Sequence, residues 1–244
     1  MPRFKSLVLV SVALTTIPAL AKPILHRNEP EILVVPDVDV DGAALDETAY
    51  ARLRKAVEAF AENHALAPAA TPKFLIASVG VKPSTALQLK METRDRSIDV
   101  MIDKNGLFSL PPLENAEIET ARLVLNQPRN AQKWAPFVRS PDMPKNHLRF
   151  GDLRMECEMR WAFVKETFDF ANRTLLQSIG GPCHSAMVRV HYESPRPLAA
   201  VALVQGERRE TLDARLISGD GRIFFPPISD TQWDDDALLE LQFK

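Results

Sequence analysis

Residues 105–115 read NGLFSLPPLEN and residues 220–230 read DGRIFFPPISD. Each stretch holds a turn dipeptide, a short apolar run with phenylalanine, and two prolines. Asn-Gly and Asp-Gly tolerate the positive φ angles of tight turns, so Asn105-Gly106 and Asp220-Gly221 each predict a β-hairpin. Pro111-Pro112 and Pro226-Pro227 lack N–H donors and so end a ladder or lie on a sheet edge. A phrase of this kind written twice predicts an internal repeat.

Setting Gly106 against Gly221 lays residues 86–113 over residues 201–228 without a gap. In both, an alternating strand leads through a charged turn (ETRDR, GERRE) to a second strand, the turn dipeptide and the prolines. Ile98, Val100 and Ile102 alternate with polar neighbours, as a strand with one buried face does. A last strand follows in each half, ARLVLNQ and LLELQF. Upstream, Tyr50, Leu53, Val57, Phe60 and His64 recur at helical spacing, and Trp161, Val164, Phe168, Ala171 and Leu175 repeat that spacing. Asp46 is read as the N-cap of the first helix. Leu153, Met155, Cys157 and Met159 alternate and are read as a strand before the second. The strands KFLIASV and AMVRVHY follow the helices. The expected fold is therefore α+β: two tandem β-rich domains, each an antiparallel sheet or sandwich with one amphipathic helix. Their bounds are residues 22–140 and 141–244, with the linker in RSPDMPKNH, residues 139–147.

Residues 1–21 have the form of a cleaved secretory signal: basic Arg3 and Lys5, an apolar run from Leu7 to Ile17, and the box Ala19-Leu20-Ala21. That run is too short to cross a bilayer, and no later stretch is apolar enough to do so. A periplasmic or secreted protein is expected. The chain has 30 basic and 32 acidic residues, a net charge of −2, which leaves no electrostatic footprint for nucleic acid. Its two cysteines, Cys157 and Cys183, are expected to form a disulfide in an oxidising compartment.

The first phrase fits the pattern D-x-x-G-x-F-x-[LF]-P-x-L through Asp103, Gly106, Phe108, Leu110, Pro111 and Leu113. Asp220, Gly221, Phe225, Pro226 and Ile228 follow it less closely, with Ile223 in place of the aromatic. The phrase resembles the central motif of carboxypeptidase-regulatory-like, or transthyretin-like, β-sandwich domains. The resemblance covers about 25 residues per half, and it implies non-catalytic modules for binding or assembly. A helix in each half departs from that family's pattern.

Asp37, Asp39, Asp41 and Gly42 have the opening spacing of a calcium loop. Thr48 stands where the twelfth ligand should be Glu, and a strand with aspartates on its wet face gives the same spacing, so no cofactor is expected. Trp233 beside Asp234 could stack on a sugar ring or cradle a cation, or cover a sheet edge. Trp134 invites the same two readings, with packing at the junction between halves favoured. His184 and Ser185 lie beside Cys183, but no G-x-S-x-G elbow accompanies them. The histidines show no metal spacing, and phosphate-cradling loops are absent. The favoured expectation is an exported non-catalytic binding or assembly module that takes a protein or envelope component, an envelope protein or carbohydrate, through sheet edges or the junction between halves. A secreted hydrolase and a carbohydrate-binding protein are the alternatives, and catalysis is left open.

Overall fold

The computed structural model describes residues 33–34, 45–78 and 86–244 of the chain. It is α+β, with three helices and several small antiparallel sheets. After a two-residue strand β1 (Leu33–Val34), the strand β2 (Leu45–Ala49) runs directly into α1 (Tyr50–Glu62). The chain then passes through β3 (Lys73–Ser78), the hairpin of β4 (Leu89–Glu92) with β5 (Ser97–Val100), and β6 (Leu107–Phe108). The strands β7 (Arg122–Pro128) and β8 (Gln132–Phe137) close this first set. A second set opens with β9 (His147–Arg149), which runs directly into α2 (Phe150–Val164), and α3 (Phe170–Ser178) follows. Next come β10 (Val188–Arg189), β11 (Tyr192–Glu193) and the hairpin of β12 (Leu198–Gln205) with β13 (Arg208–Thr211). The set ends with β14 (Ile223–Phe224) and β15 (Leu238–Phe243).

The two sets repeat one strand order. The first has a four-stranded sheet β2-β7-β4-β5, and the second has β9-β15-β12-β13. Register fixes the equivalences. Ala49 faces Arg122 and Arg149 faces Leu238. The first helical N–H of each set then bonds the carbonyl just before its last sheet strand: Tyr50 to Ala121 (3.0 Å) and Phe150 to Ala237 (2.8 Å). A smaller pair recurs too: Phe74 on β3 faces Phe108 on β6, and Tyr192 on β11 faces Phe224 on β14. The first set adds β8 to this small sheet, giving β6-β3-β8. The Ile76 N–H bonds the Gly106 carbonyl (2.9 Å), and the Ser194 N–H bonds the Arg222 carbonyl (2.7 Å). The structural repeat thus sets Gly106 against Arg222, one residue away from the ungapped sequence alignment.

Three sequence expectations need correction. Residues 153–159 are helical, because α2 is buried on nearly all sides, with eleven of its fifteen residues in the core. A helix enclosed in this way has no polar face to mark its period. The expected helix from Trp161 to Leu175 is broken by a 3₁₀ turn at Lys165–Thr167. A new helix then starts where Asp169 Oδ1 accepts the Asn172 N–H (2.9 Å). The true counterpart of Leu53 is Leu153, and both are fully buried. Second, Asp46 lies in β2 and does not cap α1, whose N-cap is Ala49. Third, the Asn105-Gly106 turn joins strands of different sheets, since β5 belongs with β4 and β6 with β3. The Asp220-Gly221 turn does close a short antiparallel pair, with Ile217 facing Phe224 and the Ser218 N–H bonding the Ile223 carbonyl (2.8 Å). Gly106 and Gly221 do take positive φ, +82° and +74°, as turns of this kind require.

Each four-stranded sheet draws its strands from one set only, and β1 pairs in parallel with β10. One apolar core nevertheless runs through both sets, and α1 packs on α2. The described residues form one compact unit. Cys157, mid-way along α2, is bridged to Cys183 beyond α3 (Cα–Cα 5.8 Å). Among the described residues no helix is long and apolar enough to cross a membrane.

Gly151, in the first turn of α2, lies where a Cβ would collide with the Leu66 carbonyl oxygen. Overpacking of this kind costs about 1–3 kcal/mol and can exceed that against rigid backbone. Gly151→Ala is expected to lower the urea midpoint accordingly. Gly219→Ala, where a Cβ meets nothing within 4 Å, should stay within about 0.5 kcal/mol of wild type.

Candidate functional site

One face of α2 carries two buried acids a turn apart, Asp152 and Glu156. They hold the chain as it leaves β8. The Ser140 N–H donates to Asp152 Oδ2 (2.6 Å) and the Ser140 hydroxyl donates to Oδ1 (2.7 Å). Glu156 Oε2 accepts from the Val138 N–H (3.4 Å) and from Arg139. Its other oxygen meets Arg160 Nη2 (3.5 Å). Arg160 in turn donates to the His191 carbonyl (2.8 Å), and its guanidinium lies 5.2 Å from the Tyr192 ring centre. The expected linker is therefore pinned at its start: Val138 and Ser140 are both buried.

Between the exposed face of β3 and β8 and the edge of β11 lies a bay of about 140 Å³. Leu75 and Ala77 of β3, Lys133, Ala135 and Phe137 of β8, Phe163 and Val164 of α2, and His191 to Glu193 are among its lining residues. Arg139 and Arg160 share the single carboxylate of Glu156 inside it. Burial pushes the Tyr192 hydroxyl far above the ordinary tyrosine pKa, and that hydroxyl donates to the Leu153 carbonyl (2.6 Å).

Trp134 and Phe163 also line a second, smaller recess of about 30 Å³. Asp46 and Thr48 lie two apart on β2 and so share a face. Arg52 comes from the first turn of α1 and Gln132 from the start of β8. The Trp134 indole N–H donates to Asp46 Oδ1 (3.1 Å). Arg52 donates through Nε to the Phe163 carbonyl (3.3 Å), and its guanidinium lies 4.5 Å from the Phe163 ring centre. Glu47 and Asn130 complete the lining. Four of the lining residues each hold one fully enclosed atom without a hydrogen-bond partner in the protein: Asp46 Oδ2, Thr48 Oγ1, Arg52 Nη2 and Gln132 Oε1. Asp46, Thr48 and Gln132 are only 5–6 % exposed. Burial raises the Asp46 carboxyl pKa against the opposing pull of the Trp134 N–H and Arg129. Burial also draws the Arg52 pKa down.

The residues singled out in the sequence lie elsewhere. Asp37, Asp39 and Asp41 fall outside the described residues, as does the expected signal, residues 1–21. Among the described residues no group of three or more His, Cys, Asp or Glu side chains is arranged to hold a metal. Trp233 and Asp234 line a shallow cavity of about 450 Å³ with Glu158, Cys183 and His184. Trp233 is only 1 % exposed and the Arg208 guanidinium covers its ring at 3.8 Å, so no open face is left to stack on a sugar. Asp234 Oδ1 accepts the Asp236 N–H (3.0 Å) within its own turn. His184 Nε2 lies 2.8 Å from Glu158 Oε1, while the Ser185 hydroxyl accepts the Met187 N–H (3.3 Å). The structure thus brings His184 to a carboxylate and not to its neighbouring serine.

Sequence reasoning found Trp134 at the junction but missed Arg52 and Gln132, and assigned Asp46 and Thr48 other roles. One signal was present: Asp46 and Thr48 both point inward from a strand, where apolar residues are the rule.

Asp152→Ala is expected to cost about 3 kcal/mol, because it leaves the buried Ser140 donors unpaired and uncouples Arg149. Chemical denaturation checks it, and a loss under about 1 kcal/mol would count against the anchoring role. No protein-family model, curated protein or solved structure matches the chain.

Proposed function

We propose that this protein is an exported, non-catalytic binding module made of two similar β-rich units, residues 22–140 and 141–244. It holds a partner from the cell envelope in the cleft between them. The observation that carries this reading is the cleft itself. A bay with apolar walls and the charged groups of Arg139, Glu156 and Arg160 abuts a smaller polar recess across Trp134 and Phe163. Ligand sites have this composition: mostly apolar walls with a few convergent polar groups. Its walls are prepositioned, since Asp152, Glu156 and Arg160 fix β8 and β11 to α2. The Cys157–Cys183 bridge fits an oxidising compartment, which supports export through cleavage after Ala21 into the periplasm or medium.

Two measurements test the proposal in the producing cell. N-terminal sequencing of the mature protein should begin at Lys22; an intact Met1 would sink the export claim. A photo-crosslinking benzoylphenylalanine at Phe137, inside the bay, should give one discrete envelope adduct. The same group at Glu210, on the exposed strand β13, should give none. Equal labelling from both positions, or none from Phe137, would overturn the cleft as the binding surface.

A further inference from the structure

The repeat shows what β11 lacks. Matching Phe74 to Tyr192 and Phe108 to Phe224 sets Leu75 against Glu193 and Lys73 against His191. In the first set Leu75 faces Ala135 and Lys73 faces Phe137, because β8 covers that edge of β3. In the second set the same edge carries no strand among the described residues. The Ser194 N–H bonds the Arg222 carbonyl on the β14 side, and peptide groups alternate in direction along a strand. The N–H and C=O of Glu193 therefore point away from β14. So does the His191 carbonyl, which Arg160 holds at 2.8 Å. Arg160, His191 and Glu193 all line the bay, so the open edge faces into it.

We infer that the bay takes the C-terminal strand of a polypeptide partner, added to β11 as β8 is added to β3, with its terminal carboxylate against Arg139 and Arg160. The inference rests on the cleft being a ligand site. Direction decides which end of the strand reaches the arginines. β8 runs antiparallel to β3, so its last residue, Phe137, lies opposite Lys73. An added strand of the same sense ends opposite His191, the residue whose carbonyl Arg160 holds. The residue two earlier then exchanges both backbone bonds with Glu193. Charge favours an anion at that end. The charged side chains lining the bay are Lys133, Arg139, Arg160, Glu156 and Glu193. Lys133 pairs with Glu193 (3.4 Å), while Arg139 and Arg160 share the carboxylate of Glu156, which leaves one positive charge in excess. Protonation of His191 would add to that excess. A C-terminal carboxylate supplies one negative charge in a planar form that suits guanidinium groups. The shared scaffold does not require the charges, since the places of Glu156 and Arg160 in α2 are held by Ala56 and Phe60 in α1. Leu75, Ala135 and Phe137 also line the bay and favour apolar side chains on the strand. Strand addition at an open edge and capture of a terminal carboxylate are both recurring modes of peptide recognition.

The test uses the full-length mature protein and three probes at neutral pH. They are the peptide acetyl-Thr-Val-Thr-Leu as the free acid, the same peptide with a C-terminal amide, and 4-methylpentanoate, a carboxylate with no peptide group. Affinity is read from the backbone amide NMR cross-peaks, and strand pairing from hydrogen exchange at the Glu193 N–H. The free acid should bind at least about tenfold more tightly than either other probe and slow that exchange at least about tenfold. Glu193→Pro removes an N–H that points away from β14, a place where a strand tolerates proline. It should melt near wild type and weaken the free acid about tenfold, whereas Glu193→Gln, which keeps the N–H, should stay within about threefold. Equal binding of acid and amide would overturn the inference, because the arginines would then read no carboxylate. So would 4-methylpentanoate binding as tightly as the peptide, which would mark a site for simple apolar acids. An unprotected Glu193 N–H in the complex, or equal losses in the two Glu193 variants, would rule out strand addition. No saturable shift with any probe would end the inference. If it fails while the Phe137 adduct still forms, the cleft remains a binding surface and only the strand assignment is lost.

Discussion

The arrangement of this molecule depends on two carboxylates buried on α2. An acid with no access to water is costly unless its oxygens are paired. Asp152 and Glu156 find their partners in the chain just after β8: the Ser140 N–H and hydroxyl, the Val138 N–H, and Arg139. The end of the first strand set is thereby tied to the central helix of the second. Arg160 extends the tie to the His191 carbonyl at the edge of β11. Those bonds hold β8 and β11 against α2 with the bay open between them. A polar network of this kind is cooperative and specific, since any one member left unpaired is penalised in a low-dielectric interior.

The repeat shows how one scaffold is put to two uses. Matching register sets Thr48 against Leu148, Arg52 against Asp152 and Ala56 against Glu156. In the second set two of these positions carry the anchoring acids of α2, Asp152 and Glu156. In the first, two carry polar groups of the recess, Thr48 and Arg52. The two helices pack on one another, so both differences lie about the junction between the sets. The first set also has β8, and among the described residues β11 pairs only with β14. The strand that makes the sets unequal is also the one that supplies Gln132, Trp134 and Phe137 to the cleft.

Much of the sheet framework was legible in the sequence. The β4–β5 and β12–β13 hairpins, the terminal strands β7 and β15, and the repeat itself all announce themselves through alternation and turn residues. What could not be read was what depends on enclosure. Residues Leu153, Met155, Cys157 and Met159 alternate by residue type, but they lie on a helix that the rest of the chain surrounds. Periodicity reports contrast between a wet and a dry side, and α2 has almost none. The one-residue slip between Gly106 and Gly221 is invisible for a related reason. The turn sequences match, yet register is set by Phe74 meeting Phe108 and Tyr192 meeting Phe224 across separate strands. The recess is the extreme case. Its residues come from positions 46, 48, 52 and 132, and only the fold brings the last of them to the others.

The cost of the recess bears on why it is there. Each buried polar atom without a partner costs about 1–3 kcal/mol, a large fraction of the marginal stability of a domain. The fold itself does not demand polarity at Thr48. At the place equivalent to Thr48 the second set carries Leu148, in the same strand position and the same sheet order. An apolar side chain is therefore compatible with that point of the scaffold. Asp46 and Gln132 flank Thr48 with further oxygens, and Arg52 faces them with a guanidinium that burial makes harder to keep charged. At Thr48, then, the polarity at the junction belongs to this strand set and not to the scaffold that both sets share.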